Sequence, residues 1–241
     1  MKTDVKLHVR ENQGLLAIPE KKALNWLAGR MPLWINSDHL TLLGLFAMVA
    51  AGASFWVSGF LKPALFLVVF FLAVNWFGDS LDGTLARFRD CQRPRYGYYV
   101  DHVIDLIGTA SLLCGMALSG YMNPMIAIAL LATFALVEAE VFLSTHVQQV
   151  FRLSRFGFGP TELRILLAIG TLYLFLNPTV RIGGLGTFLL FDVGGILSIA
   201  GLIAAFIVSA IRNTRMLYQL ETRKTLCNRS VAQRSTQHAE I

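Results

Sequence analysis

Four aspartates, Asp79, Asp82, Asp101 and Asp105, lie within or beside stretches otherwise apolar enough to enter a lipid bilayer. They sit in Asp79-Ser80-Leu81-Asp82-Gly83-Thr84-Leu85-Ala86-Arg87 and Gly97-Tyr98-Tyr99-Val100-Asp101-His102-Val103-Ile104-Asp105. An uncompensated carboxylate at a membrane is destabilising by several kcal/mol, so four together require a cation, a substrate or both. Spacings of three and four residues place each pair on one helix face. The short basic connection 88–96 lets two such helices run antiparallel, so that the four carboxylates face one another. Their mutual repulsion calls for divalent ions, and oxygen-only ligation suits Mg²⁺ or Mn²⁺ rather than zinc.

The neighbours sharpen that chemistry. Gly83 and Gly97 leave the backbone open to a flat or bulky group, and Ala86 extends the small-residue floor. Arg87 is placed to meet a phosphate oxygen. Together they suit binding of a diphosphate and transfer across it, with a carboxylate taking the proton of an attacking hydroxyl. Helix caps and ion pairs to Arg87, Arg89, Arg93 and Arg95 would explain any single aspartate. They do not explain four at this spacing with both glycines.

These residues need a scaffold, and composition indicates which kind. Of 241 residues, 55% are hydrophobic and only 15% charged, with mean hydropathy +0.57. A soluble domain would carry about 25% charge. The expected fold class is all-α: a polytopic membrane protein with six transmembrane helices, near 39–59, 63–82, 98–119, 123–145, 161–178 and 187–210. Residues 1–36 form a cytoplasmic N-terminal segment, 37–213 the membrane domain, and 214–241 a polar, frayed cytoplasmic tail. Residues 1–20 lack the apolar core of a secretory signal. Within the first segment, 18–33 reads as an interfacial amphipathic helix with Leu24, Trp26, Leu27 and Leu33 on its apolar side. An inside N-terminus places 19 of the 21 Lys and Arg residues on the cytoplasmic side, leaving Lys62 and Arg181 outside. The net charge of +6 is concentrated at segment ends, which favours phospholipid headgroups or a phosphorylated substrate over nucleic acid. Cys91, Cys114 and Cys227 form no metal or redox pattern, and Cys114 reads as a small core residue.

The aspartate run resembles the signature of the CDP-alcohol phosphatidyltransferase family, Asp-x-x-Asp-Gly-x-x-Ala-Arg followed, after eight or nine residues, by Gly-x-x-x-Asp-x-x-x-Asp. Every fixed position from Asp79 to Asp105 matches. The resemblance implies a homodimer of six-helix subunits that transfers a substituted phosphate from a CDP-linked donor to an alcohol, releasing CMP. It implies two metal ions on Asp79, Asp82 and Asp101, with Asp105 near them as the base. It also implies nucleotide contacts at Asp82, Gly83, Ala86 and Gly97, with Arg87 supporting the loop or the phosphates. The Pro-Asn-x-(Leu or Ile)-Thr common before span one in the family is represented only by Leu40 and Thr41. Asp38 could cap that helix, and His39 is read as interfacial.

The aspartates do not choose the substrate. A short six-pass chain resembles bacterial CDP-diacylglycerol enzymes of the cytoplasmic membrane. Arg152, Arg155 and Arg164 could hold an acceptor phosphate, although positive-inside anchoring also explains them. Asp101-His102-x-x-Asp105 and Thr161-Glu162 instead resemble the CDP-choline and CDP-ethanolamine branch, whose acceptor is a lipid alcohol. Glu138 and Glu140 do not share a helix face, so at least one belongs to packing. Glu138 could meet a headgroup or His146, and Asn75 could orient Asp79 or meet substrate. A divalent-cation channel is the alternative of another class. It is disfavoured because the carboxylates gather toward one membrane face.

Overall fold

The computed structural model describes residues 17–148 and 160–239, which form seven α-helices and one β-hairpin. They run α1 (Ala17–Ala28), α2 (Ser37–Ser58), α3 (Ala64–Phe88), α4 (Pro94–Leu118), α5 (Pro124–Gln148), α6 (Pro160–Tyr173), β1 (Thr179–Ile182), β2 (Gly186–Leu189) and α7 (Leu190–Ala239). β1 and β2 pair antiparallel, Thr179 opposite Leu189.

α2 is the centre of the bundle: α3 and α4 both pack along it and barely touch each other. Glycines make that possible. A Cβ on Gly78 of α3 would lie 2.6 Å from the Leu40 carbonyl oxygen and 2.8 Å from the Gly44 nitrogen of α2. At the other crossing, a Cβ on Gly52 or Gly115 would run into the facing backbone of Ser111 or Gly52. Such small-residue crossings let membrane helices approach to backbone contact, where dispersion replaces the missing hydrophobic drive. Outside this trio, α5 packs on α4, α7 on α5, and α6 and α1 on α3.

Two apolar cores follow. One, with Phe55, Leu65, Val68, Leu112, Met116 and Leu174, fills the end remote from the aspartates. The other joins Leu24 and Ala28 of α1 to Leu40, Leu81 and Leu85. α1 therefore docks through positions 24 and 28, one turn apart, whereas Trp26 faces outward with Arg30 stacked 3.8 Å above its ring. α1 ends at Ala28, so Leu33 lies beyond the helix rather than on its apolar side, which corrects the expected extent of 18–33.

The expected six spans are also corrected. Among the described residues, five helices are long and apolar enough to cross a membrane: α2, α3, α4, α5 and α7. The segment expected over 161–178 supplies only the 14 regular residues of α6, about 21 Å of helix against a hydrocarbon layer of about 30 Å. Its last turn tightens, with Phe175 N bonded to Leu172 O, before Asn177-Pro178 forces an extended backbone. The α6 segment still links the two ends of the bundle. Arg164 reaches Asp79 at one end, and the Phe175 carbonyl accepts from Lys62 Nζ at 3.0 Å at the other.

Three smaller corrections have local causes. The expected frayed tail is instead a continuation of α7, because no Gly or Pro follows Gly201 to stop the helix. Cys114 is exposed rather than in the core, since α4 turns Gly108, Leu112 and Gly115 inward. The α2 cap is Asn36, not Asp38: Asn36 is extended, and its N–H donates to His39 Nδ1 at 3.1 Å.

The glycine crossings predict a graded response in thermal unfolding of purified protein. Gly115→Ala and Gly78→Ala should each destabilise by about 1–3 kcal/mol or more, because backbone must move. Gly108→Ala should be milder, since it meets only the movable Met48 side chain at 3.1 Å. Equal melting temperatures for all three variants would contradict backbone contact as the organising feature.

Candidate active site

The aspartates line a groove whose walls are α3 and α4 and whose floor is α2. Each is held differently. Asp82 is buried, 6% exposed. Its Oδ2 accepts from Thr41 Oγ1 at 2.7 Å, its Oδ1 from the Gly83 N–H, and its carbonyl from Ser37 Oγ at 3.0 Å. The first turn of α2 thus grips the end of α3. Asp79 is half-buried and accepts from Arg164 Nη2 at 2.6 Å. Asp101 is half-buried and Asp105 exposed on α4. All four lie within electrostatic range: Asp82 feels Asp79 and Asp101, and Asp105 feels Asp79, Asp101, Glu138 and Arg164.

The expected convergence on metal ions is therefore partial. Among the described residues, no three His, Cys, Asp or Glu side chains stand close enough to hold an ion as placed. The donor set still suits a hard divalent ion: four carboxylates share one groove, with the Arg164 charge directly paired to one of them.

The surrounding residues divide between groove and scaffold. No atom lies within 4 Å of a Cβ built on Gly97, so that wall is open. Gly83 is covered by Arg87, whose guanidinium would sit 3.3 Å from an added Cβ, while Arg87 Nη2 donates to Thr84 Oγ1 at 3.1 Å. Ala86 is half-buried on the same helix. Asn75 is buried and donates to the Gly44 carbonyl at 2.9 Å, holding α2 against α3. Glu138 lies 3.6 Å from His102 Nε2. The other ring nitrogen, Nδ1, is 2.8 Å from the Tyr98 carbonyl. A carbonyl only accepts, so Nδ1 carries the hydrogen. Glu140 is the packing residue of the two glutamates, accepting from Ser209 Oγ at 2.9 Å and Asn213 Nδ2 at 2.7 Å on α7. Arg152 and Arg155 lie outside the described residues.

Two polar anchors escape a reading of motifs alone. Arg89 donates to the carbonyls of Ile35 (2.6 Å), Met31 (2.9 Å) and Pro32 (3.0 Å), tying the α1–α2 loop to the end of α3. Glu20 Oε1 accepts from Trp76 Nε1 at 2.9 Å, Thr161 Oγ1 at 2.7 Å and Ser80 Oγ at 3.4 Å. Its one sequence signal is position: Glu20 precedes Leu24 and Ala28 at four-residue steps on the inward face of α1.

A family model for CDP-alcohol phosphatidyltransferases matches residues 34–213, which include the whole groove. The chain belongs to that family, and it is a polytopic membrane protein. It is 34% identical over 88 residues to the archaetidylinositol phosphate synthase of Pyrococcus horikoshii, an alignment covering 36% of this chain and 44% of that protein. The chain thus matches less than half the length of that relative. The apo crystal structure of Mycobacterium tuberculosis phosphatidylinositol phosphate synthase superposes with a TM-score of 0.48 at 19% identity, covering 83% of this chain and 95% of the other.

The grip of α2 on Asp82 has a direct test. Thr41→Val should lower stability by about 1.5–3 kcal/mol, because a buried carboxylate loses a donor, whereas Thr41→Ser should retain most of it. Thermal unfolding of the two variants measures the difference. Similar losses for both would mean that the hydroxyl bond is not what stabilises this junction.

Proposed function

We propose that the chain transfers a substituted phosphate from a CDP-linked donor, with CDP-diacylglycerol favoured, to an alcohol acceptor, releasing CMP in phospholipid synthesis. The observation that carries this reading is the groove itself: four family-signature carboxylates on two helices, with an open glycine wall and an arginine on Asp79. The acceptor oxygen attacks the phosphorus bearing the lipid substituent, and the bond from that phosphorus to the bridging diphosphate oxygen breaks. CMP departs with the bridging oxygen. Asp105 is the base: as the exposed carboxylate of the set, it can reach a hydroxyl from the groove and take its proton. Asp79, Asp82, Asp101 and Asp105 would hold Mg²⁺ or Mn²⁺, two ions in this reading, which supply charge neutralisation to the diphosphate. Asp82, Gly83, Ala86, Arg87 and Gly97 form the nucleotide side of the groove, where the bare Gly97 wall admits a flat group.

A phosphorylated acceptor is favoured by Arg164. Its Nη2 is committed to Asp79, but its Nη1 is buried with no hydrogen-bond partner among the described residues. A phosphate oxygen would satisfy it. The name of the Pyrococcus horikoshii relative, an inositol phosphate lipid synthase, points to the same acceptor class. A second reading, aminoalcohol phosphotransfer to a diacylglycerol-like lipid, is favoured by His102 and Glu138 near Asp105. In either reading the groove and both termini face the cytoplasm, an orientation supported by the 19-to-2 bias of Lys and Arg, and the enzyme works as a homodimer.

Purified protein with Mg²⁺ should release CMP from CDP-diacylglycerol when inositol phosphate or glycerol phosphate is added. Release from CDP-choline with diacylglycerol instead would establish the second reading. Asp105→Asn should fold normally and lose about 10²–10⁴-fold in turnover; near-normal rates would remove it as the base. Gly97→Ala should keep or raise the melting temperature, since Ala is the better helix former by about 1 kcal/mol, yet weaken donor use. Unchanged donor KM and kcat would place the nucleotide elsewhere.

A further inference from the structure

We propose that Glu20 is a positioning residue for the groove: it holds the first turn of α6 so that Arg164 meets Asp79. The geometry forms a closed circuit. Glu20 Oε1 accepts from Thr161 Oγ1 on α6 and from Trp76 Nε1 and Ser80 Oγ on α3. Thr161 and Arg164 are three residues apart, on one face of α6. Trp76 and Ser80 flank Asp79 on α3, and Arg164 Nη2 closes the circuit on Asp79 Oδ2 at 2.6 Å. One carboxylate oxygen on α1 therefore spaces the two helices that carry the pair.

α6 needs such a tie at this end. Its far end is secured by packing: Thr171 and Leu174 are wholly buried, and Gly170 lies against the Phe191 ring. Near its start Leu163, Ile165 and Leu166 all face outward, so apolar burial does little to fix the first turns. Glu20 itself is held in place by the docking of Leu24 and Ala28, the next two residues on its stripe. The accepting oxygen, rather than the charge, performs this role, because each partner is a neutral donor. Glutamine keeps an oxygen there and alanine does not.

The proposal rests on the reading of Arg164 as part of a transferase groove, and it is tested on full-length protein in lipid nanodiscs with one measurement that needs no substrate. Hydrogen exchange of the first helix-bonded amides of α6, 164–168, should speed up about tenfold in Glu20→Ala, the effect of losing a clamp worth about one hydrogen bond. Glu20→Gln should stay within about twofold of wild type, as the same bonds persist. Thr161→Val should resemble Glu20→Ala, and the double variant should be no worse than either single one. CMP-release kcat/KM should follow the same order. Unchanged exchange in Glu20→Ala, additive effects in the double variant, or Gln as damaging as Ala would overturn the clamp. Faster α6 exchange with unaltered kcat/KM would overturn its positioning role. If wild type released no CMP from any donor, the transferase reading would fall, while the exchange cycle would still decide the clamp. Should Glu20→Ala not fold, Glu20→Gln and Thr161→Val carry the comparison.

Discussion

Backbone contact between α2 and its two neighbours is the constraint on which the groove depends. Gly44 meets Gly78 beside Asp79, and Gly52 meets Gly115 further along the helix. With α3 and α4 pressed onto a common helix, they need not touch each other, and the space between them is the groove. A side chain at Gly52, Gly78 or Gly115 would meet facing backbone, tilt one wall and change the separation of the carboxylates. The same contact brings Thr41 and Ser37 to Asp82, so the floor helix also sets the orientation of a site residue.

The charges obey a division of labour. Where the chain is buried, each carboxylate is matched locally: Asp82 by hydroxyl and amide donors, Asp79 by Arg164. Toward the open wall, Asp105 is exposed on the subunit. Arginines are divided in the same way. Arg89 spends its guanidinium on three loop carbonyls, and Arg93 pairs with Asp38, so these basic residues fasten the rim. Arg164 reaches into the groove with its Nη1 unpartnered among the described residues.

Polar ties also substitute for packing where the bundle is thin. Glu140 joins α5 to α7 through Ser209 and Asn213, and Glu20 joins α1, α3 and α6. In a low-dielectric setting such bonds are firm when satisfied and destabilising when half-made. They therefore define helix register more sharply than lipid-facing apolar surface can.

The chemistry and most of the helices are legible in the residue order alone. The spacing of Asp79, Asp82, Asp101 and Asp105 is a local property of helix periodicity, and apolar length reports a membrane helix without reference to its neighbours. Residue order located Glu140 or Glu138 as packing groups but could not say which, because both choices satisfy the same periodicity. It overcounted the spans, since hydropathy over 161–178 is blind to where α6 stops being a helix. Packing places α2 between the two aspartate helices, sets Asn75 against Gly44, and brings Glu20 and Arg164 onto α3 from distant parts of the chain. The reason is physical: periodicity states which face a residue occupies, whereas the partner of that face is chosen by packing among helices far apart in sequence.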